Sequence, residues 1–316
     1  MSLPAISATG LRKSYGDKVV LDGIDLDVAP GTIFSLLGPN GAGKTTTVNI
    51  LSTLTGADAG TASVTGHDLA TDPDAVRGVI GLTGQFSAVD NLLTGEENLF
   101  LMADLHHLPR REGRRRAAAL LERFDLADVA KKTPTTYSGG MRRKLDLAMT
   151  LVGDPKVIFL DEPTTGLDPR SRRVMWDIIR DLAANGVTIF LTTQYLEEAD
   201  QLADRIAVLD RGRLVAEGTP DELKRLLPGG HLRLHFADPA RLAEAAHLLE
   251  LSTSDDAALV LQVPTDGTVS ALRAVLARLD AAAVEVDALT VHTPDLDDVF
   301  LTLTGHAADR TKELTS

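Results

Sequence analysis

Apolar residues in the first 40 positions follow two patterns that predict strands. Ile24, Leu26 and Val28 alternate with aspartates, as expected for a strand with one buried and one solvated face. Residues 33–37 are almost entirely apolar, which predicts a strand that is buried on both faces. A glycine-rich loop follows this strand, and we expect a helix over residues 46–54 after it.

The middle of the chain alternates strands and helices, apart from one long helical stretch. The pattern predicts strands over residues 157–160, 187–192 and 206–209, and helices over 172–184 and from 195 onward. Strands that alternate with helices predict an α/β fold with a parallel, doubly wound sheet. Residues 96–153 are helical in pattern and interrupt this alternation, so we expect a helical insertion there.

The pattern changes after residue 220. Alternating residues 231–236 predict a strand, and we expect further elements in the order helix (from 238), strand (258–263), helix (269–279), strand (284–291) and helix (295–303). Pro228-Gly229-Gly230 is a natural linker. We therefore predict two domains, 1–220 and a small α+β unit over 221–316. The apolar stripe of the last helix fits either that unit's core or a second protomer.

Composition narrows the functional classes. The chain has 316 residues, 44% hydrophobic and 24% charged, with 32 basic and 45 acidic side chains and a net charge of −13. This acidity argues against a nucleic-acid binder with a basic arm. The sequence contains no cysteine, which excludes disulfides and thiol nucleophiles, and no apolar run near the roughly 20 residues that span a bilayer. We expect a cytoplasmic chain that acts on a membrane only through a partner.

The loop after strand 33–37 carries a phosphate-binding motif. It reads Gly38-Pro39-Asn40-Gly41-Ala42-Gly43-Lys44-Thr45 and fits G-x-x-x-x-G-K-[ST] between a buried strand and a helix. Glycines let backbone N–H groups surround phosphates, Lys44 reaches the β- and γ-phosphates, and the Thr45 hydroxyl binds Mg²⁺. A structural glycine turn is the alternative, but the strand–loop–helix context favours a nucleotide site that also includes Thr46.

Two carboxylates follow the buried strand 157–160. The carboxyl end of a strand in an open parallel sheet is where ligands bind. Asp161 is placed to hold Mg²⁺ through water, and Glu162 is placed to polarise an attacking water as general base. An isolated Asp-Glu pair is usually a solvated surface feature, and it is the phosphate loop that makes this pair informative.

The segment upstream of that strand carries a family resemblance. Tyr137-Ser138-Gly139-Gly140-Met141-Arg142-Arg143 resembles the LSGGQ signature of ABC-transporter ATPases. In the residues themselves, Ser138 is a helix cap, and the two glycines let N–H groups approach an anion. The resemblance, which covers residues 4–220, implies a P-loop ATPase fold. It also implies a head-to-tail homodimer in which Ser138, Gly139 and Gly140 contact the ATP held by the opposite protomer.

The resemblance assigns roles to four further residues. Gln85 matches the glutamine that contacts Mg²⁺ and the attacking water, Tyr15 the aromatic residue that stacks on adenine, and Asp168 an aspartate at the dimer interface. A lone tyrosine is also compatible with a simple core or surface position. Gln194 stands where most of the family has histidine, so it can donate a hydrogen bond to the γ-phosphate but cannot become cationic.

Three segments are similar to one subgroup, the ATP-binding subunits of daunorubicin/doxorubicin-resistance type exporters: Gln194 with its neighbours, residues 84–95, and the tail motif 296–301. The resemblance implies ATP and Mg²⁺ as cofactors, a separate integral-membrane permease as partner, a hydrophobic drug as cargo, and a peripheral position on the cytoplasmic face of the membrane. From the acidic composition we expect no nucleic acid as partner. The alternatives are a soluble ABC ATPase acting on ribosomes or DNA and the ATPase of an importer.

Overall fold

The computed structural model describes residues 3–84, 88–226, 230–249, 254–255, 258–265, 269–292 and 295–304. The chain divides into two compact units, Met1–Pro220 and Asp221–Ser316. Within the described ranges, no helix combines the length and the apolar character needed to cross a membrane.

Among its described residues, the first unit contains ten strands and seven complete α-helices. The strands are β1 (Ile6–Tyr15), β2 (Lys18–Val28), β3 (Ile33–Leu37), β4 (Ala59–Val64), β5 (His67–Asp68), β6 (Ile80–Thr83), β7 (Val157–Asp161), β8 (Thr188–Thr193), β9 (Arg205–Asp210) and β10 (Arg213–Gly218). The helices are α1 (Lys44–Leu51), α2 (Pro73–Val79), α3 (Gly95–Leu105), α4 (Arg110–Arg123), α5 (Gly139–Thr150), α6 (Pro169–Ala184) and α7 (Leu196–Leu202). Helix α8 (Pro220–Lys224) follows where the two units meet along the chain.

The predicted parallel sheet is the centre of the first unit. Its strand order is β10-β9-β3-β8-β7-β6, and every neighbouring pair is parallel except β9 with the edge strand β10. Leu37 at the end of β3 lies opposite Thr193 of β8, and Asp161 at the end of β7 lies opposite Thr192. The ends of β3, β7 and β8 therefore meet at one edge of the sheet.

Apolar side chains on both faces of this sheet explain its continuous hydrophobic strands. Phe34, Phe159 and Phe190 lie on one face, with the Phe190 ring centroid 5.5 Å from that of Phe34 and 5.6 Å from that of Phe159. Ile158 and Ile189, their neighbours along the strands, belong to the core on the other face. This alternation is what period-2 strands buried on both sides require.

A second, antiparallel sheet of order β2-β1-β4-β5 belongs to the same unit. The sequence pattern predicted strands in this region, but it predicted neither this separate sheet nor the strands β4, β5, β6 and β10. The sheet shares a hydrophobic core with α1 and with the phenylalanine face of the parallel sheet. The antiparallel sheet therefore supports the helix that follows the phosphate loop.

Helix bounds differ from the sequence predictions at α1. The helix begins at Lys44 instead of residue 46 and ends at Leu51 instead of 54. Gly43 precedes it in the left-handed conformation, with φ of 115°, and Thr53 just beyond it has φ of 63°. The helical insertion is confirmed: its main helices are α3, α4 and α5, and α3 begins with a capping box between Thr94 and Glu97.

The second unit is α+β, as predicted. Its sheet has the order β12-β13-β11-β14, from β11 (His231–His235), β12 (Ser254–Asp255), β13 (Val260–Pro264) and β14 (Ala288–His292), with helices α9 (Pro239–Leu249), α10 (Val269–Ala281) and α11 (Leu296–Thr304). The prediction of a strand over 284–291 was wrong at its start, because β11 ends at His235 and pairing begins with Ala288. Of the predicted linker, Pro228 and Gly229 lie outside the described residues.

Two glycines of the antiparallel sheet and its turn give a test of backbone packing. Gly60 and Gly66 have nearly equal φ values, 87° and 85°. A Cβ on Gly60 would lie 2.4 Å from the Gly10 carbonyl oxygen, whereas one on Gly66 would meet nothing within 4 Å. Gly66→Ala should cost about 1 kcal/mol of unfolding free energy, from the left-handed backbone alone.

Gly60→Ala should cost about 1–3 kcal/mol more than Gly66→Ala, because the backbone of Gly10 must move. Urea-induced unfolding of the two variants, followed by circular dichroism, measures the difference. Equal midpoints and slopes for the two variants would contradict the packing described here.

Candidate functional site

The glycine loop between β3 and α1 is pressed against neighbouring strands. A Cβ on Gly38 would lie 2.3 Å from the carbonyl oxygen of Leu209, and one on Gly43 would lie 2.6 Å from Cδ2 of Leu21. Neither position accommodates a side chain in this backbone. At these two positions the loop therefore packs against its neighbours through its backbone alone. This suits a loop that binds phosphates through N–H groups.

Lys44 is buried at the start of α1, with 5% of its surface exposed. Its Nζ donates to the carbonyl oxygens of Gly38 at 2.8 Å and Pro39 at 3.2 Å, and lies 3.4 Å from Oε1 of Glu162. Burial lowers the pKa of Lys44, and the nearby carboxylates of Glu162 and Asp161 oppose that shift. The structure thus places the lysine of the loop against the Glu162 carboxylate and within electrostatic reach of Asp161.

Three oxygen-bearing side chains meet beside this lysine. The Thr45 hydroxyl donates to Oδ2 of Asp161 at 2.8 Å, and the Thr192 hydroxyl donates to Oδ1 of the same carboxylate at 2.5 Å. Thr45 and Asp161 were predicted together as Mg²⁺ ligands, and the structure brings them into contact. Hydroxyl and carboxylate oxygens are donors that suit Mg²⁺.

Thr192 was missed by the sequence analysis. It lies in the apolar strand β8, where a threonine is expected simply for its strand propensity. Its distance along the chain from Asp161 hides the contact, and only the register of β7 with β8 shows it. The position of Thr192 opposite Asp161 fixes the orientation of the carboxylate.

Glu162 has an unusual backbone, with φ of 50°, which costs free energy for a residue with a side chain. Its N–H donates to the carbonyl oxygen of Thr192 at 3.1 Å. Its carboxylate lies between two groups, with Oε1 near Lys44 and Oε2 accepting from the Thr165 hydroxyl at 3.3 Å. The side chain is 10% exposed, so few water molecules reach it.

A cavity of about 410 Å³ adjoins the loop. Its lining contains Tyr15, Lys18, Val20, Asn40, Gly41, Gly43, Lys44, Thr45, Thr46 and Glu162. Tyr15 is 52% exposed, and Lys13 Nζ lies 5.5 Å from its ring centroid. The structure therefore places this tyrosine and the phosphate loop around one cavity; Lys18 and Val20 were not predicted there.

The predicted signature residues lie elsewhere on the same unit. Ser138 caps α5, and its Oγ accepts from the Met141 N–H at 3.2 Å, as its sequence position indicates. Ser138 and Gly139 are exposed, and a Cβ on Gly140 would lie 2.7 Å from Ser171 Oγ. The cavity lining named above includes none of Ser138, Gly139 and Gly140.

Asp168 caps α6, the helix that contains Ser171. Its carboxylate accepts from the backbone N–H groups of Arg170 and Ser171 and, at 2.6 Å, from the Ser171 hydroxyl. The Ser171 hydroxyl and these N–H groups lower the pKa of Asp168. The predicted interface aspartate and the signature glycine Gly140 therefore share one neighbour, Ser171.

The two predicted glutamines stand differently. Gln85 lies outside the described residues. Gln194 follows β8 directly and is partly exposed; β8 lies between the strand that leads to the phosphate loop and the strand that ends in Asp161. The carbonyl oxygen of Thr193, the preceding residue, accepts from the Gly38 N–H at 3.2 Å. The backbone next to Gln194 is thus bonded to the start of the loop.

A buried glutamate links the region after Glu162 to α7. Oε1 of Glu198 accepts from the Thr164 hydroxyl at 2.7 Å and from Nε1 of Trp176 at 3.1 Å. Burial raises the pKa of Glu198, and these hydrogen bonds partly oppose it. Glu198 could not be predicted as a buried residue from the sequence, because nothing in its surroundings in the chain distinguishes it from the exposed Glu197.

Comparison with known proteins agrees with this geometry. Residues 21–165 match the family model for the ABC transporter domain, and residues 218–304 match the C-terminal domain of DrrA1-3-like ATP-binding proteins. The chain is 52% identical to the daunorubicin resistance ATP-binding protein DrrA3 of Streptomyces coeruleorubidus, covering 96% of this chain and 97% of the relative. It is 40% identical to the Nod factor export ATP-binding protein I of Paraburkholderia xenovorans, covering 95% and 97%.

Solved structures agree as well. An ATP-binding subunit of an ABC transporter matches with a TM-score of 0.64 and 30% identity, over 70% of this chain and 92% of that one. A dimeric ATP-binding cassette bound to ADP and Pi matches with a TM-score of 0.62 and 26% identity, over 68% and 98%. This chain belongs to the ATP-binding subunits of ABC transporters, in the family of the daunorubicin/doxorubicin resistance ATP-binding proteins, and it is an ATPase.

Proposed function

We propose that this chain hydrolyses ATP to energise the export of a hydrophobic drug or antibiotic through a separate integral-membrane permease. The observation that carries the proposal is the contact of Lys44 and Thr45 with the two carboxylates at the end of β7. The similarity to a daunorubicin resistance protein extends over nearly the full length of both chains and supports drug export in particular. The relative that acts in Nod factor export supports export over import.

The phosphates of ATP bind in the loop of residues 38–45. Backbone N–H groups and the N-terminus of α1 provide the positive potential, and Lys44 adds a full charge. Tyr15 offers its exposed ring to the adenine from the rim of the same cavity. Lys44 already lies beside Glu162, so its charge is close to the place where the reaction would occur.

Thr45 and Asp161, with Gln85, would hold Mg²⁺. When bound, the ion neutralises charge on the β- and γ-phosphates. The contact between the Thr45 hydroxyl and the Asp161 carboxylate supports this assignment, because it places two oxygen ligands side by side. Thr192 holds the second oxygen of the carboxylate and so limits its rotation.

Glu162 acts as the general base. It orients a water molecule and accepts its proton, in a site where positioning and electrostatics supply most of the rate enhancement. The low exposure of its carboxylate and the fixed position of its backbone support this role. Gln194 donates a neutral hydrogen bond to the γ-phosphate from the end of the neighbouring strand.

The active form is a head-to-tail homodimer. Ser138, Gly139 and Gly140 are exposed or partly exposed and take no part in the lining of the cavity beside Lys44. They are available to the ATP of a second protomer, with Asp168 close to them through Ser171. ATP closes this dimer, hydrolysis and product release reopen it, and the permease converts the motion into transport from the cytoplasmic face of the membrane.

Removal of the base separates turnover from binding. Glu162→Gln keeps the shape of the side chain but cannot accept a proton, so kcat should fall by about 100-fold or more while ATP is retained. The variant should also accumulate as a dimer with ATP, measured by size-exclusion chromatography with light scattering. Lys44→Ala is the contrasting variant and should lose nucleotide affinity itself. Parental turnover in Glu162→Gln would remove Glu162 as the base.

The neutral side chain of Gln194 gives a prediction about pH. Gln194 carries no titrating group, whereas the imidazole of Gln194→His titrates near pH 6.5 and gains a positive charge below that pH. A cation stabilises the charge on the phosphates better than a neutral donor, so kcat of Gln194→His relative to the parent should rise as the pH falls from 8 to 6. A ratio that stays at one across this range would contradict the position of Gln194 at the γ-phosphate.

The proposed membrane partner can be identified directly, by isolating this chain from its native cell. The tagged full-length chain, isolated in mild detergent, should retain a polytopic membrane protein in stoichiometric amount, identified by mass spectrometry. The same tag on an unrelated protein is the control. Daunorubicin should then stimulate the ATPase activity of the complex. Ribosomal proteins or DNA-repair factors without a membrane partner would contradict the export function while leaving the ATPase assignment intact.

A further inference from the structure

Arg143 lies one turn into α5, the helix that Ser138 caps, and only 11% of its side chain is exposed. Its guanidinium donates to four backbone carbonyl oxygens and one carboxylate: Pro163 at 2.9 Å, Gly84 at 3.0 Å, Asp161 at 3.4 Å, Glu162 at 3.5 Å and Oδ2 of Asp146 at 3.2 Å. A single side chain therefore binds the backbone of three consecutive residues at the end of β7.

These carbonyl contacts stabilise the backbone around Glu162, which has an unfavourable conformation. Glu162 has a positive φ, a conformation that persists only when its surroundings hold it. The Glu162 N–H donates to the carbonyl oxygen of Thr192 in β8, and Arg143 donates to the carbonyl oxygens of Asp161 and Glu162. The direction of the Glu162 side chain is thus set from both sides of its own backbone.

Asp146 completes the arrangement one turn further along α5. Its side chain is 3% exposed, and its Oδ1 accepts from the Ala88 N–H at 3.1 Å while Oδ2 accepts from Arg143. Since Arg143 also holds the Gly84 carbonyl, the pair bonds both residues that flank the segment 85–87. Burial lowers the pKa of Arg143, and the charge of Asp146 opposes this shift.

We propose that Arg143 and Asp146 are a positioning pair that fixes the base Glu162 and bonds its backbone to α5, the helix that begins with the signature glycines. The proposal rests on the role of Glu162 proposed above. A guanidinium suits the task because its planar fork reaches several acceptors in fixed directions, which the single ammonium of lysine cannot do. Of the residues that line the cavity, the hydrogen bonds named above involve only Glu162.

This placement predicts a separation of kinetic parameters in the full-length chain. Arg143→Lys and Asp146→Asn should each lower kcat by about 10- to 100-fold, because the carboxylate of Glu162 is misplaced. Affinity for ATP, measured by fluorescence titration with a trinitrophenyl analogue, should stay within threefold of the parent, since the loop of residues 38–45 is untouched. A purely structural role would lower both together with the melting temperature.

The matched control is a second Arg–Asp pair of the same spacing. Arg180 and Asp177 on α6 form an exposed i,i+3 pair at 2.8 Å, away from the site. Arg180→Lys and Asp177→Asn should leave kcat within twofold of the parent. An equal loss of kcat at both pairs would overturn the proposal.

The double variant Arg143→Lys/Asp146→Asn tests whether the two residues act together. Because they share one network, the double variant should lose no more kcat than the worse single variant. If the loss of kcat in the double variant equals the product of the two single losses, the residues act independently, which would overturn the proposal that they act as a pair.

Arg143→Lys leaves a buried charge with fewer partners and can unfold the chain. Asp146→Asn then decides, since it keeps the shape of the side chain: a folded Asp146→Asn chain with parental kcat would overturn the proposal. Glu162→Gln, measured in parallel, tests the role of Glu162 as base separately from the role of Arg143 and Asp146 in positioning it. Parental turnover in Glu162→Gln removes the proposed base, whereas the Arg143 and Asp146 variants are judged only against the parent.

Discussion

The nucleotide site depends on the parallel register of β3, β8 and β7. Backbone hydrogen bonds alone do not choose one register over the next, but the packing of the Phe34, Phe190 and Phe159 rings does, with Phe34 stacked on Phe190 and Phe159 tilted against it. A slip of one residue would turn each ring to the opposite face of the sheet. The same slip would displace the carboxylates from the phosphate loop by about 3.3 Å, the rise of one strand residue.

The carboxyl ends of β3, β7 and β8 bring one lysine and two carboxylates to a place that little water reaches. Each charge would be costly alone, and their mutual proximity offsets much of the cost. The direction of the shift for Lys44 shows the balance, because burial lowers its pKa and the two carboxylates raise it. A second layer of polar contacts, from Thr192 and Arg143 to the backbone and side chains of β7's end, holds these charges in place.

The sequence predicted the central sheet, the helical insertion and the residues around the phosphate loop, because each has a strong local pattern. It did not predict the five short strands β4, β5, β6, β10 and β12, since two to six residues carry little periodicity. Thr192 and Arg143 escaped for another reason. Both are ordinary residues for a strand and a helix, and apart from Asp146 their partners are far away in the chain, so only the register and packing give them a role.

Trp176 is the only tryptophan among the 316 residues, and its indole N–H bonds to the buried Glu198 of α7. The same carboxylate oxygen accepts from Thr164, two residues after Glu162. Indole fluorescence is sensitive to the polarity and hydrogen bonding of its surroundings. The chain therefore contains a single indole reporter, placed where the segment after the carboxylates meets the helix that follows Gln194, and its emission needs no added label.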